Sequence, residues 1–171
     1  MGAFTRSTFS KRSATAALAL FLLVAWMPAV AAPAPKTAGP EATVFFCPSN
    51  DLECRLKKME AFDVTKVRDV WVFVAWKNIS PGLHSQQLRF SLKRGEHYQT
   101  IESVFTTAAV PGLPAFVQVP KKSQGEPTVM AVLPVAGTYI TQHALTGMWE
   151  IEVILDGKSI TKAKFQLHEP D

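Results

Sequence analysis

The chain predicts an all-β domain, an antiparallel sandwich of about seven strands with one short N-terminal helix. Three observations lead there. From residue 70 onward apolar residues recur at every second position, the period of a strand whose alternate side chains face a core. Turn residues such as Pro81-Gly82, Gly95, Pro111-Gly112 and Asp156-Gly157 punctuate these runs at short intervals, as they do in sandwiches. Only Leu52, Leu56 and Met59 recur at helical spacing.

Residues 1–31 read as a secretory signal peptide. Arg6, Lys11 and Arg12 give a positive start, and small residues Ala29 to Ala31 close the segment. Between them Ala14 to Trp26 is uncharged and shorter than the ~20 residues that span a bilayer. Cleavage is expected after Ala31; a cut after Ala32 also leaves small residues but puts Pro33 behind the scissile bond. Residues 32–40, APAPKTAGP, form a Pro/Ala linker with little to bury, and 41–171 form the sandwich domain. Without Arg6, Lys11 and Arg12 the 18 basic residues become 15 against 14 acidic ones, so net +4 becomes +1. The remaining basic runs are short, and no nucleic-acid partner is expected. No second apolar run reaches spanning length, so no stable membrane insertion is expected after leader removal. The expected destination is the periplasm or the extracellular space.

Thr43 to Phe46, stopped by Pro48, reads as an edge strand, and Ser49, Asn50 or Asp51 caps the helix that follows. Cys47 and Cys54 lie seven positions apart. In an exported chain they are expected to form a disulfide rather than free thiols or a metal or redox pair, contributing about 2–3 kcal/mol. Val70 to Trp76 is apolar on both faces, so this strand is central or has the helix over one face. Ser80-Pro81-Gly82-Leu83 reads as a type II turn. Leu88, Phe90 and Leu92 then face inward, with Gln87, Arg89, Ser91 and Lys93 outward. Tyr98–Thr107, Ala115–Val119 and Thr128–Val135 are further strands, with KKSQGEP between the last two as a polar loop. Thr138–Thr141 reads as a short extended piece.

In the last hairpin Trp149, Ile151, Val153 and Leu155 face inward, followed after the turn by Thr161, Ala163, Phe165 and Leu167. A two-residue Asp156-Gly157 loop would oppose Ile151 to Lys162 and send lysines to the core. A three-residue Leu155-Asp156-Gly157 loop is therefore preferred, pairing Glu150 with Lys162. Placing the loop at Asp156-Gly157-Lys158 keeps the faces and pairs Glu152 with Lys162 and Glu150 with Lys164.

Chemistry-bearing patterns are sparse. His84, His97, His143 and His168 are scattered and read as surface or loop residues. Glu150 and Glu152 share a strand face, but opposing lysines account for them as surface charge pairs. No catalytic residue, cofactor or metal is expected. Trp149 and at least one of Trp71 and Trp76 read as core residues. Trp71 is the candidate for an exposed interaction surface.

The stretch LPVAGTYITQHALTGMWEIEVILDGKSITKAKFQL is similar to the closing strands of immunoglobulin- or fibronectin-like domains of secreted bacterial envelope proteins. Gly147, Trp149, Ile151, Val153, Asp156, Gly157, Phe165 and Leu167 carry the likeness. VWVFVAWKNISPGLHSQQLRF fits the earlier strand-turn-strand of such domains. Both cysteines precede the tryptophan strand, unlike the inter-sheet pair of antibody domains. The resemblance implies an immunoglobulin-like fold and supplies no catalytic residues. The expected function is that of a non-enzymatic exported protein, an interaction or scaffold module in an envelope or surface-motility assembly. Its expected partner is another exported or envelope protein, recruited by addition to an edge strand. The alternative is a secreted carbohydrate- or peptide-binding module that uses an aromatic face.

Overall fold

The computed structural model describes residues 38–57, 59–109 and 111–169. The expected leader, its cleavage residues Ala31 and Ala32, and the linker as far as residue 37 lie outside the described residues. The chain is predominantly β, arranged in two sheets around one core. The described residues form ten strands: β1 Glu41–Cys47, β2 Ala61–Asp63, β3 Asp69–Lys77, β4 Leu83–Leu92, β5 His97–Thr106, β6 Val117–Gln118, β7 Lys121–Ser123, β8 Glu126–Pro134, β9 Gly147–Leu155 and β10 Lys158–His168. One sheet has the order β1-β3-β8-β7 and the other β2-β10-β9-β4-β5-β6. All neighbours are antiparallel except β10 with β2 and β5 with β6.

The strand count exceeds the expected seven because short strands carry no readable alternation. Three-residue β2 and β7 are set by their neighbours, and β7 lies inside the KKSQGEP segment taken for a loop. Thr138–Thr141 is corrected from an extended piece to the start of a helical turn, α1, Tyr139–Gln142. Thr138 caps it, its hydroxyl accepting from Ile140 N–H, and Ile140 drops into the core.

Leu52–Lys57 forms a 3₁₀ helix rather than an α-helix. A Cys47–Cys54 disulfide, with Cα atoms 5.8 Å apart, draws this turn onto the edge strand, and Cys54 N–H donates to Asp51 C=O at 3.3 Å. Met59, expected on the helix, instead forms a β-bridge with Phe46. At the end of β2, the Asp63 carboxylate accepts from Thr65 N–H at 2.9 Å and Thr65 Oγ1 at 2.6 Å, and pairs with Lys66 at 2.8 Å.

β3 is central, as both its apolar faces require. Val70, Val72, Val74 and Trp76 enter the core between the sheets. Phe73 and Ala75 point the other way and are nonetheless buried, in an outer cluster with Phe45, Cys47 and Cys54. The inner core joins the sheets through aromatic contacts: Trp149 stacks on Phe165 at 6.0 Å, and Phe165 meets Phe46 of β1 at 5.0 Å. Such pairs add about 0.5–1.5 kcal/mol each beyond their burial.

The β9–β10 register corrects the preferred loop. Leu155 pairs with Lys158, leaving a two-residue Asp156-Gly157 loop, and the pairing shifts between Ser159 and Thr161. The extra residue sits in the strand, as a β-bulge at Ile160, and not in the turn. Beyond it Lys162 opposes Glu152 and Lys164 opposes Glu150, the pairing ranked second from the sequence. Trp149, Ile151, Val153, Phe165 and Leu167 all remain buried.

Candidate functional site

The segment between β6 and β7 passes from the six-stranded sheet to the four-stranded one. Pro111, Pro114, Pro120 and Pro127 stiffen the region. Two clefts flank this crossing. The larger, of about 580 Å³, is lined by Thr106–Ala109, Pro111, Leu113, Val119, Pro120, Lys122 and Pro127. The smaller, of about 200 Å³, has Phe73, Thr128 and Met130 on its sheet side, with Leu52 of the 3₁₀ helix, Gln118 and Lys121. Val119 and Pro120 line both. Phe116 and Val119 are each 72% exposed, unusual for large apolar side chains so close together.

β7 places one lysine at each cleft. Lys121 lies opposite Thr128, which is opposite Ala75 on the outer face of the sheet. Lys122 lies opposite Pro127 on the other face. Both lysines are exposed, and neither has an ion pair among the described residues. The nearby Lys77, by contrast, is paired with Glu126 at 3.2 Å.

Trp71 is half-buried on the same outer face, opposite Cys47 and Val132, and packs against the outer cluster. It lines neither cleft. Cys47 and Cys54 support the site indirectly, since their bridge holds the helix that carries Leu52. Trp76 and Trp149 are core residues.

Polar groups missed by sequence reasoning lie along β4. His84, read as a surface residue, is buried, as is Gln86. His84 Nε2 donates to Ser80 C=O at 2.9 Å, and Nδ1 meets Asp156 Oδ2 at 2.8 Å. The other Asp156 oxygen accepts from Ser85 N–H at 2.8 Å. Gln86 Oε1 accepts from Trp76 Nε1–H at 3.0 Å. Extending the Leu88–Phe90 alternation backward would have placed both residues inside. Gly82 takes the positive φ expected of it, while Ser80 C=O accepts from Thr107 Oγ1 and His84 instead of closing a type II turn.

The outer face of the six-stranded sheet carries cross-strand charge. Glu150 bonds Lys162 at 2.7 Å, while Glu152 pairs with Arg89 at 3.1 Å and accepts from Ser159 at 2.7 Å. The hydrogen bond from Lys162 holds the Glu150 carboxyl below its usual value, against the opposing effect of burial. The same bond raises Lys162. For Asp156 burial pushes the carboxyl up, but the bonds from His84 and Ser85 outweigh it and the net shift is downward. Among the described residues no three His, Cys, Asp or Glu side chains converge as metal ligands. No described helix is long and apolar enough to cross a membrane.

No family model matches the chain, and no curated protein matches it. Solved structures similar to it include two of low identity. One is the Pseudomonas fluorescens alkylpurine DNA glycosylase AlkC bound to DNA containing an abasic site analog, at 12% identity and TM-score 0.42, over 77% of this chain and 31% of that one. The other is a CARDB domain from Pyrococcus furiosus in complex with di-metal ions, at 13% identity and TM-score 0.35, over 77% of this chain and 90% of that one. The chain thus spans about a third of the glycosylase's length. The expectation that the protein is not an enzyme is withdrawn as a correction, because a structure it resembles is itself an enzyme. At these TM-scores neither likeness carries an activity or a ligand to this chain.

Proposed function

We propose that this chain is a protein-interaction module of an exported or envelope assembly, an immunoglobulin-like sandwich that docks another exported protein beside β7. The observation that carries this reading is the pair of clefts around Val119 and Pro120, apolar in lining, with Val119 and Met130 exposed among the lining residues. Exposed apolar surface of this kind marks association sites. The disulfide fits the oxidising compartment that the leader implies. The carbohydrate- or peptide-binding alternative draws no support from the tryptophans, since Trp76 and Trp149 are buried and Trp71 is half-buried.

A photo-cross-linking residue at Val119, in full-length protein made by its native host, tests the reading. One discrete adduct with an exported protein is expected there, and none from the same residue at Lys164 on the charged face. Equal adducts at both positions would refute the site. N-terminal sequencing of the mature protein is expected to begin at Ala32 or Pro33.

A further inference from the structure

We infer that β7 is an acceptor edge for an extended strand of the partner, and that this strand is apolar with carboxylates among its side chains. The inference rests on the interaction reading above and specifies its geometry and chemistry.

The hairpin register supplies the backbone part. Ser123 and Glu126 flank the two-residue Gln124-Gly125 loop, so they form the hydrogen-bonded pair that closes a hairpin of this type. Antiparallel pairs alternate between hydrogen-bonded and non-hydrogen-bonded. Lys122 and Pro127 are therefore a non-hydrogen-bonded pair, which Pro127 suits because it has no N–H to give. The N–H and C=O of Lys122 consequently point away from β8, toward the open edge. Neither has a partner among the described residues. β7 ends its sheet, so no described strand occupies that position.

The side chains supply the rest. A strand laid beside β7 would point successive residues to alternate faces. Those opposite Lys121 would meet the outer cleft over Phe73 and Met130, and those opposite Lys122 the cleft beside Ala108, Leu113 and Pro127. Backbone bonds along an edge combined with pockets for alternate side chains are how strand addition gains affinity and specificity. One unpaired lysine at each cleft calls for carboxylates on both faces of the incoming strand, since opposite charges across a strand pair attract.

Other edges are less suited. β10 lacks a second neighbour from Lys158 to Phe165, but its Lys162 and Lys164 are already engaged by Glu150, whereas Lys121 and Lys122 have no ion pair among the described residues. β5 lacks a second neighbour from His97 to Ser103, but no cleft described above lies along it.

The test uses a capped peptide of repeating Glu-Val-Val, which presents Val and Glu to both faces, against the mature protein in solution. Controls are the Lys-Val-Val counterpart and a Glu-Val-Val peptide with alternate backbone nitrogens methylated. Nuclear magnetic resonance is expected to show amide shifts centred on Lys121–Ser123 with the acidic peptide, and neither control is expected to bind. Lys122→Glu, an exposed change that spares the fold, is expected to weaken binding about tenfold. Shifts centred on His97–Ser103, equal binding of the basic or methylated peptide, or no binding at all would overturn strand addition at β7. If any of these occurs while Val119 still cross-links specifically, the interaction reading stands and only the strand mechanism falls.

Discussion

At both the β7–β8 and β9–β10 hairpins two residues at positive φ reverse the chain: Gln124-Gly125 at 52° and 83°, Asp156-Gly157 at 49° and 79°. The surroundings of the two turns differ. The Asp156 carboxylate binds Ser85 N–H and His84, and Asp156 N–H donates to Ser85 C=O at 2.8 Å, so β9–β10 is bolted to β4. The β7–β8 hairpin ends a sheet, carries two lysines without an ion pair among the described residues, and has apolar clefts where its counterpart has neighbours. The same turn geometry thus closes one region and, among the described residues, leaves the other with an open edge. On the proposed reading, stability is concentrated in the first and recognition in the second.

The largest test of that division lies in the cores beneath. Trp149 is fully buried, donates to Leu145 C=O at 3.2 Å, and stacks against Phe165. Trp149→Ala is expected to cost about 3–5 kcal/mol in urea unfolding. Val119→Ala, beside the open hairpin, is expected to stay within about 0.5 kcal/mol because the side chain is mostly in water. Comparable losses at the two positions would mean that Val119 is a packing residue and not a docking one. Next in size is the disulfide. Cys54→Ser is expected to cost about 2–3 kcal/mol and to free the 3₁₀ helix that brings Leu52 to the smaller cleft, so peptide binding at β7 should weaken as well. Unchanged stability on reduction would detach the helix from both roles.

How much of this was legible in the sequence depended on what alternation can encode. It reports parity: which residues share a face, and whether an odd or even number of residues is inserted between two runs. A three-residue loop and a two-residue loop with one bulge have the same parity, so the faces of Trp149 and Phe165 were readable while Ile160 as the bulge was not. The inner face of β3 was readable for the same reason, and its equally apolar outer face already called for a cover, which the disulfide-held helix supplies beside Phe73. Buried His84 and Gln86 were concealed by residue type, because their partners lie far off in sequence, Asp156 in the β9–β10 turn and Trp76 on β3. The candidate site was the least legible part. KKSQGEP looks like a polar loop, and only its pairing with β8 gives Lys121 and Lys122 opposite faces. Trp71, singled out for its exposed-looking face, turned out to cover the outer cluster next to the clefts.

The anchored turn can be loosened directly. Asp156→Ala is expected to cost about 1–2 kcal/mol, since it removes the acceptor of Ser85 N–H and leaves buried His84 without its carboxylate, with the half-exposed position limiting the loss. The carboxyl is lowered in the native state from an ordinary value of 3.8. Its contribution is therefore fully present above that pH and drains away as pH falls through the lower native value. Asp156→Asn should flatten this acid limb. Asp63 has the same sign, held down first by Lys66 and then by Thr65, so Asp63→Asn should flatten it further and independently. If neither substitution changes the acid limb, the two carboxylates are not linked to folding.

The open turn is expected to respond least, and in the opposite direction. Gln124 is exposed at a positive φ, where a side chain costs about 1 kcal/mol, and no hydrogen bond of its side chain exists among the described residues. Glycine removes that strain but adds about 0.5 kcal/mol of unfolded-chain entropy to be lost on folding. The balance is a gain of about 0.5 kcal/mol for Gln124→Gly, measurable as a higher urea midpoint at unchanged slope. A loss instead would show that Gln124 holds the hairpin through its side chain. The two turns would then both be anchored, and the openness of β7 would no longer follow from its surroundings.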